Sequence, residues 1–189
     1  MRQISDLEQK IRDFVNNHNL YDKYFKNHFL DEWIILCVSM DILGDTCLAL
    51  EYYKNSGLGD KDGEKYLNLY GLLQAIFLQQ DAICQLFQIF MKSNLKPDAN
   101  SEWMRIRYVR NLVAGHPIEK KDKKGTKRCL ISRATIQSDT FQLIVWKKEE
   151  NKDEIEDVEL KSLFNKYKSE SIKHLETIYQ AQIKNWSSL

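Results

Sequence analysis

Glycine and proline are scarce in this chain, seven and two in 189 residues, where average usage would give roughly 23 between them. So few turn residues exclude a many-stranded sandwich or barrel, and equally a collagen-like chain or a Pro-rich linker. An excess of one charge is missing too. Lys and Arg number 28 and Asp and Glu 27, a formal net charge of +1, so no global field directs the chain to nucleic acid, and any such affinity must be local. The four cysteines, Cys37, Cys47, Cys84 and Cys129, have no C-x-x-C spacing and read as reduced thiols of a cytoplasmic protein. Asp6 and Glu8 interrupt the first residues where a signal peptide needs an apolar run, so neither secretion nor import is expected. The best membrane-span candidate, Trp33 to Leu50, contains Asp41 and Asp45 and reads as a buried helix. Walker A, G-x-G-x-x-G and G-x-S-x-G are absent, as is the paired Glu-x-x-His of a dimetal bundle, so no cofactor and no metal is expected.

What the chain does have is helical periodicity. Ser5-Asp6-Leu7-Glu8 reads as a capping box that opens a helix running to about Asn17. An aromatic connector follows, with Tyr21, Tyr24, Phe25 and Phe29. The next helix, from about Asp31 to Lys54, is apolar around much of its circumference and is expected to be nearly surrounded. Three glycines in 55–63 turn the chain. The third helix, from about Glu64 to Lys92, is the most apolar and is expected at the centre. Asn100 or Ser101 can cap a fourth, carrying Trp103, Ile106, Val109, Leu112 and Val113 up to Gly115. A basic loop spans Lys120 to Arg128. Two β-prone runs between Cys129 and Lys147 predict a hairpin, the one strand structure expected. Glu149 to Glu156 reads as a charged connector, and a last helix runs from about Val158, capped by Asp157, to Asn185. The predicted fold is all-α: an up-and-down helical bundle, one domain over 1–189, with a small β-hairpin inserted before the C-terminal helix.

One stretch carries chemistry, R-Y-V-R-N-L-V-A-G-H-P at Arg107 to Pro117. On a continuous helix Arg110 and His116 would lie about 240° apart. Gly115 can break that geometry by adopting the left-handed conformation, and Pro117 disfavours helical angles at His116. The imidazole can then fold back toward the helix end, whose negative dipole pole favours Arg and protonated His. Arg and His followed by Gly and Pro are also an ordinary helix-stop signal.

Arg110, Asn111 and His116 resemble the R-x(4 to 6)-H motif of the HEPN superfamily, whose first intervening residue is usually Asn, Asp or His, and G-H-P is a common form of its end. The match covers about eight residues. It implies a metal-independent endoribonuclease working at a homodimer interface and leaving a 2′,3′-cyclic phosphate and a 5′-hydroxyl. His116 would be the general acid or base, Arg110 would hold the phosphate, and Asn111 would position one or the other. It further implies a toxin or anti-phage defence role, with an antitoxin or nucleotidyltransferase partner and no membrane partner. Non-catalytic members of the superfamily give the alternative of an RNA-, nucleotide- or protein-binding module.

Arg107, Lys120, Lys121, Lys123 and Lys124 are candidate RNA-binding residues beside the motif. Arg105 either extends this positive surface or pairs with a carboxylate. Asp41, Asp45 and Asp81, with Gln74, Gln79 and Gln80, lie in apolar helices and read mainly as a core hydrogen-bond network, able to reach Arg110 or His116. His18, His28 and His174 carry no motif.

Overall fold

The computed structural model describes residues 1–123 and 125–187. The elements run α1 (Arg2–Asn17), a π-helical turn (Tyr21–Phe25), α2 (Lys26–His28), α3 (Leu30–Ser56), α4 (Asp62–Met91) and α5 (Glu102–Arg110). A second π-helical turn (Asn111–Gly115) then leads to β1 (Lys120–Asp122), β2 (Gly125–Ile131), β3 (Thr140–Lys147), β4 (Lys152–Glu159) and α6 (Leu160–Asn185). The chain divides into two compact units, one of Met1–Glu51, Leu78–Pro97 and Lys168–Leu189, the other of Tyr52–Phe77 and Asp98–Tyr167.

The first unit is helical. α1 buries Ile4, Leu7, Ile11, Phe14 and Val15 along one face, a helical spacing. Ser5 does not cap it. The helix begins at Arg2 without a side-chain cap, because fully buried Ile4 extends the apolar face upstream, and Glu8 accepts from Arg12 Nε at 2.7 Å instead. α3 is not surrounded. Leu36, Met40, Leu43, Cys47 and Leu50 are buried, but Ile34, Val38 and Leu48 are exposed and share the outer side with exposed Asp41 and Asp45. Those two carboxylates stay in water, where a charge costs least, and the apolar residues that share their face of the helix stay out as well. By length and composition α3 is long and apolar enough to cross a membrane. Inside this unit Gln79 Nε2 donates to Thr46 Oγ1 at 3.1 Å, and Trp186 Nε1 donates to the Phe90 carbonyl at 3.2 Å.

The second unit corrects the all-α expectation. Among its described residues four strands form one antiparallel sheet in the order β1-β2-β3-β4. The predicted hairpin is there, as β2 and β3 ahead of α6, and Phe141, Leu143 and Val145 alternate inward along β3. What the sequence hid are the outer strands. β1 comes from the basic loop and β4 from the charged connector, and neither has an apolar alternation. An edge strand needs only backbone pairing on one side, and charge on it discourages further pairing. β4 is held over its whole length by the register Thr140↔Glu159 to Lys147↔Lys152, with Lys147 Nζ 2.7 Å from Glu154. The turn between β1 and β2 requires glycine: Gly125 has φ +117°, and a Cβ there would collide with the Glu149 carboxylate.

The helices of this unit bury Leu69, Leu72, Leu73 and Ile76 of α4, Trp103, Ile106 and Val109 of α5, and Leu163, Phe164 and Tyr167 of α6. Ser101 caps α5 as expected, its Oγ accepting from the Met104 amide at 3.3 Å. Asp157 does not cap α6. Its side chain accepts from Gln142 Nε2 at 2.8 Å, and the Leu160 amide donates to the Asp139 carbonyl at 2.8 Å.

Candidate active site at the end of α5

α5 ends at Arg110 and continues into the π-helical turn, closed by a 2.8 Å hydrogen bond from the His116 amide to the Asn111 carbonyl. An i to i+5 bond of this kind is an ordinary way for a helix C-terminus to close. Gly115 is not left-handed. The positive-φ glycines among the described residues are Gly57, Gly59 and Gly125. The chain leaves the helix through the wider turn and through His116, at φ −137° and ψ 56°, which Pro117 keeps out of the helical region. Gly115 matters for its size. A Cβ on it would lie 3.0 Å from Arg110 Nη1 and 3.6 Å from Asn111 Oδ1, so the guanidinium folds back over the residue that precedes His116.

The Arg110 guanidinium is fixed from three sides. Its carbon lies 3.9 Å from the Phe77 ring centroid. Nε and Nη2 donate to Gln74 Oε1 at 3.3 and 2.9 Å, and Nη1 donates to Asn111 Oδ1 at 3.0 Å. Every one of these partners is uncharged. No carboxylate pairs with Arg110 among the described residues, and each terminal nitrogen keeps an unused N–H. A half-buried cation, oriented but not neutralised, can take an anion as a further partner. The Arg107 guanidinium also lies over Phe77, at 4.3 Å.

His116 is exposed, and its ring makes no hydrogen bond among the described residues. The fold brings Asn111 to Arg110, not to the imidazole, so within one chain Asn111 positions the guanidinium. Gln74, expected among buried polar groups of an apolar helix, is the second positioning residue. Phe77 was legible only as one more core aromatic.

The surrounding basic residues divide. Arg105 pairs with Glu156 at 3.3 Å and Lys121 with Glu119 at 2.8 Å. Lys120 lies directly across from Lys127, both over the Tyr108 ring at 4.6 and 5.6 Å, and burial together with the neighbouring Lys127 pushes the Lys120 pKa down. Lys123 is exposed in the β1–β2 turn, and Lys124 lies outside the described residues. Among the described residues no cluster of three His, Cys, Asp or Glu is arranged for a metal. Burial pushes the Cys129 thiol up to about 11, so it is not a ready nucleophile. Comparison with protein-family models, curated proteins and solved structures finds no match to this chain.

Proposed function

We propose that this chain is a HEPN-like, metal-independent endoribonuclease of the cytoplasm that acts as a homodimer, in a toxin or anti-phage defence setting. The observation that carries the reading is Arg110, held by neutral partners among the described residues and folded over Gly115, the residue before exposed His116. A phosphodiester on Arg110 would take the unused N–H groups, and the guanidinium would stabilise the charge that builds on the phosphoryl oxygens. His116 would take the 2′-hydroxyl proton or return one to the leaving 5′-oxygen, leaving a 2′,3′-cyclic phosphate and a 5′-hydroxyl. Ile118, two residues past His116, is 82% exposed and supplies apolar surface beside the motif for a second copy. The reading rests on this helix end and not on the fold class.

Purified protein incubated with mixed RNA in EDTA tests it. Wild type is expected to cleave, His116→Ala to lose about 10²- to 10⁴-fold in rate, and Arg110→Ala to lose comparably, both with dimeric mass intact. A second reading, a non-catalytic HEPN-like binding module, is favoured by the His116 ring having no partner to orient it. RNA binding by wild type without cleavage as a dimer would select it.

A further inference from the structure

A cavity of about 910 Å³ in the second unit is lined by Tyr66 and Tyr70 of α4, by Val113 and Pro117 on either side of the motif's exit, and by the outer edge of β2, including Ile131 and Arg133. That volume lies in the range of small-molecule sites, roughly 300 to 1,000 Å³. Three features give it a chemistry. The two tyrosine rings are 6.2 Å apart and tilted by 38°, and Tyr70 is 42% exposed, so a π face is available for stacking. The β2 edge offers unspent backbone. The Ser132 amide bonds to Gln142 and the Cys129 amide to the Pro117 carbonyl, which sets the parity of the strand. Ile131 therefore directs its N–H and C=O away from β3, and its amide has no backbone partner among the described residues. Arg133 is exposed and carries no ion pair among the described residues.

The cavity also continues the proposed active site. Tyr66, Tyr70, Gln74 and Phe77 follow one another at spacings of four, four and three residues, one stripe of α4. The lower half of that stripe lines the cavity and the upper half holds Arg110.

We infer that this cavity is a nucleobase subsite: a base next to the phosphate held by Arg110 stacks on Tyr70 and bonds through its polar edge to the Ile131 backbone, with Arg133 on the following phosphate. The inference deepens the ribonuclease reading and rests on it for the position of the phosphate. Stacking is sequence-tolerant, while the strand edge provides one donor and one acceptor for choosing among bases.

The test separates binding from cleavage with a 2′-O-methyl RNA hexamer, which lacks the attacking hydroxyl. Tyr70→Ala is expected to weaken its binding about 5- to 150-fold, Tyr70→Trp to restore it, and a hexamer abasic at the stacked position to bind Tyr70→Ala and wild type alike. Wild type that cleaves RNA with KM unmoved by Tyr70→Ala would overturn the subsite and leave the nuclease standing. Tyr70-dependent hexamer binding by a wild type that cleaves nothing would keep the subsite and remove the nuclease. Failure of wild type to bind the hexamer, or a Tyr70→Ala chain that turns from dimer to monomer, would overturn the subsite, the latter by assigning the cavity to a second copy.

Discussion

In the first unit Lys92 Nζ lies 5.2 to 5.7 Å from the ring centroids of Tyr24, Phe29 and Trp186, and 2.8 Å from a Glu32 carboxylate oxygen. In the second, Arg110 lies over Phe77 and, among the described residues, hydrogen-bonds only to Gln74 and Asn111. Both are cations on aromatic rings, but only the lysine has its charge closed by an anion. An aromatic cage plus a carboxylate satisfies a cation completely and leaves a structural clasp. A ring plus two amide oxygens fixes direction without neutralising charge, and the remainder is available to a ligand.

Perturbing the two sites sharpens that contrast. The largest effect belongs to the clasp. Trp186 is buried against Phe25 and Phe90 as well as Lys92, and Trp186→Ala should lower stability by about 3–5 kcal/mol, read by urea denaturation, while RNA cleavage per folded molecule stays unchanged. Gln74→Glu then turns the second site into a copy of the first. A carboxylate on Arg110 should cut cleavage about 10²-fold, on the scale of losing one transition-state donor, with no loss of melting temperature; an unchanged rate would break the comparison. Opening the clasp's charge by Glu32→Gln should cost no more than about 0.2–1 kcal/mol, because the pair is partly exposed.

The smallest effect is a pH dependence at the sheet. The Thr126 amide donating to Glu149 holds that carboxyl below its ordinary range. Its folded pKa being lowered, the contribution is present above the ordinary glutamate range and is lost as pH falls through the lowered value. Glu149→Gln should therefore lower the urea midpoint slightly at neutral pH and converge with wild type at acid pH, flattening the profile between them.

The sequence was most legible where side chains repeat. The apolar faces of α1, α4 and α6, the Ser101 cap and the alternation of β3 follow from periods of 3.6 and 2. It misled where pairing is carried by backbone alone. Glu149 to Glu156 looks like a charged connector and Val158 like a helix start, and only the partner β3 makes Lys152–Glu159 a strand. The Arg110, Asn111 and His116 motif was legible as letters, and the π turn that spaces them was not: an i to i+5 bond has no composition signature. Asp41 and Asp45 show the opposite failure. Their apolar neighbours suggested burial, and the packing turned that face outward.

By itself, then, the sequence determined which segments wind into helices and that a guanidinium and an imidazole flank a helix end, because local periodicity and Gly-Pro chemistry act over a few residues. Tertiary structure alone decided that Phe77, Gln74 and Asn111 close around Arg110 with no carboxylate among the described residues. Whether a charge is neutralised depends on which distant side chains arrive beside it, and α4 and α5 meet only when the chain is folded.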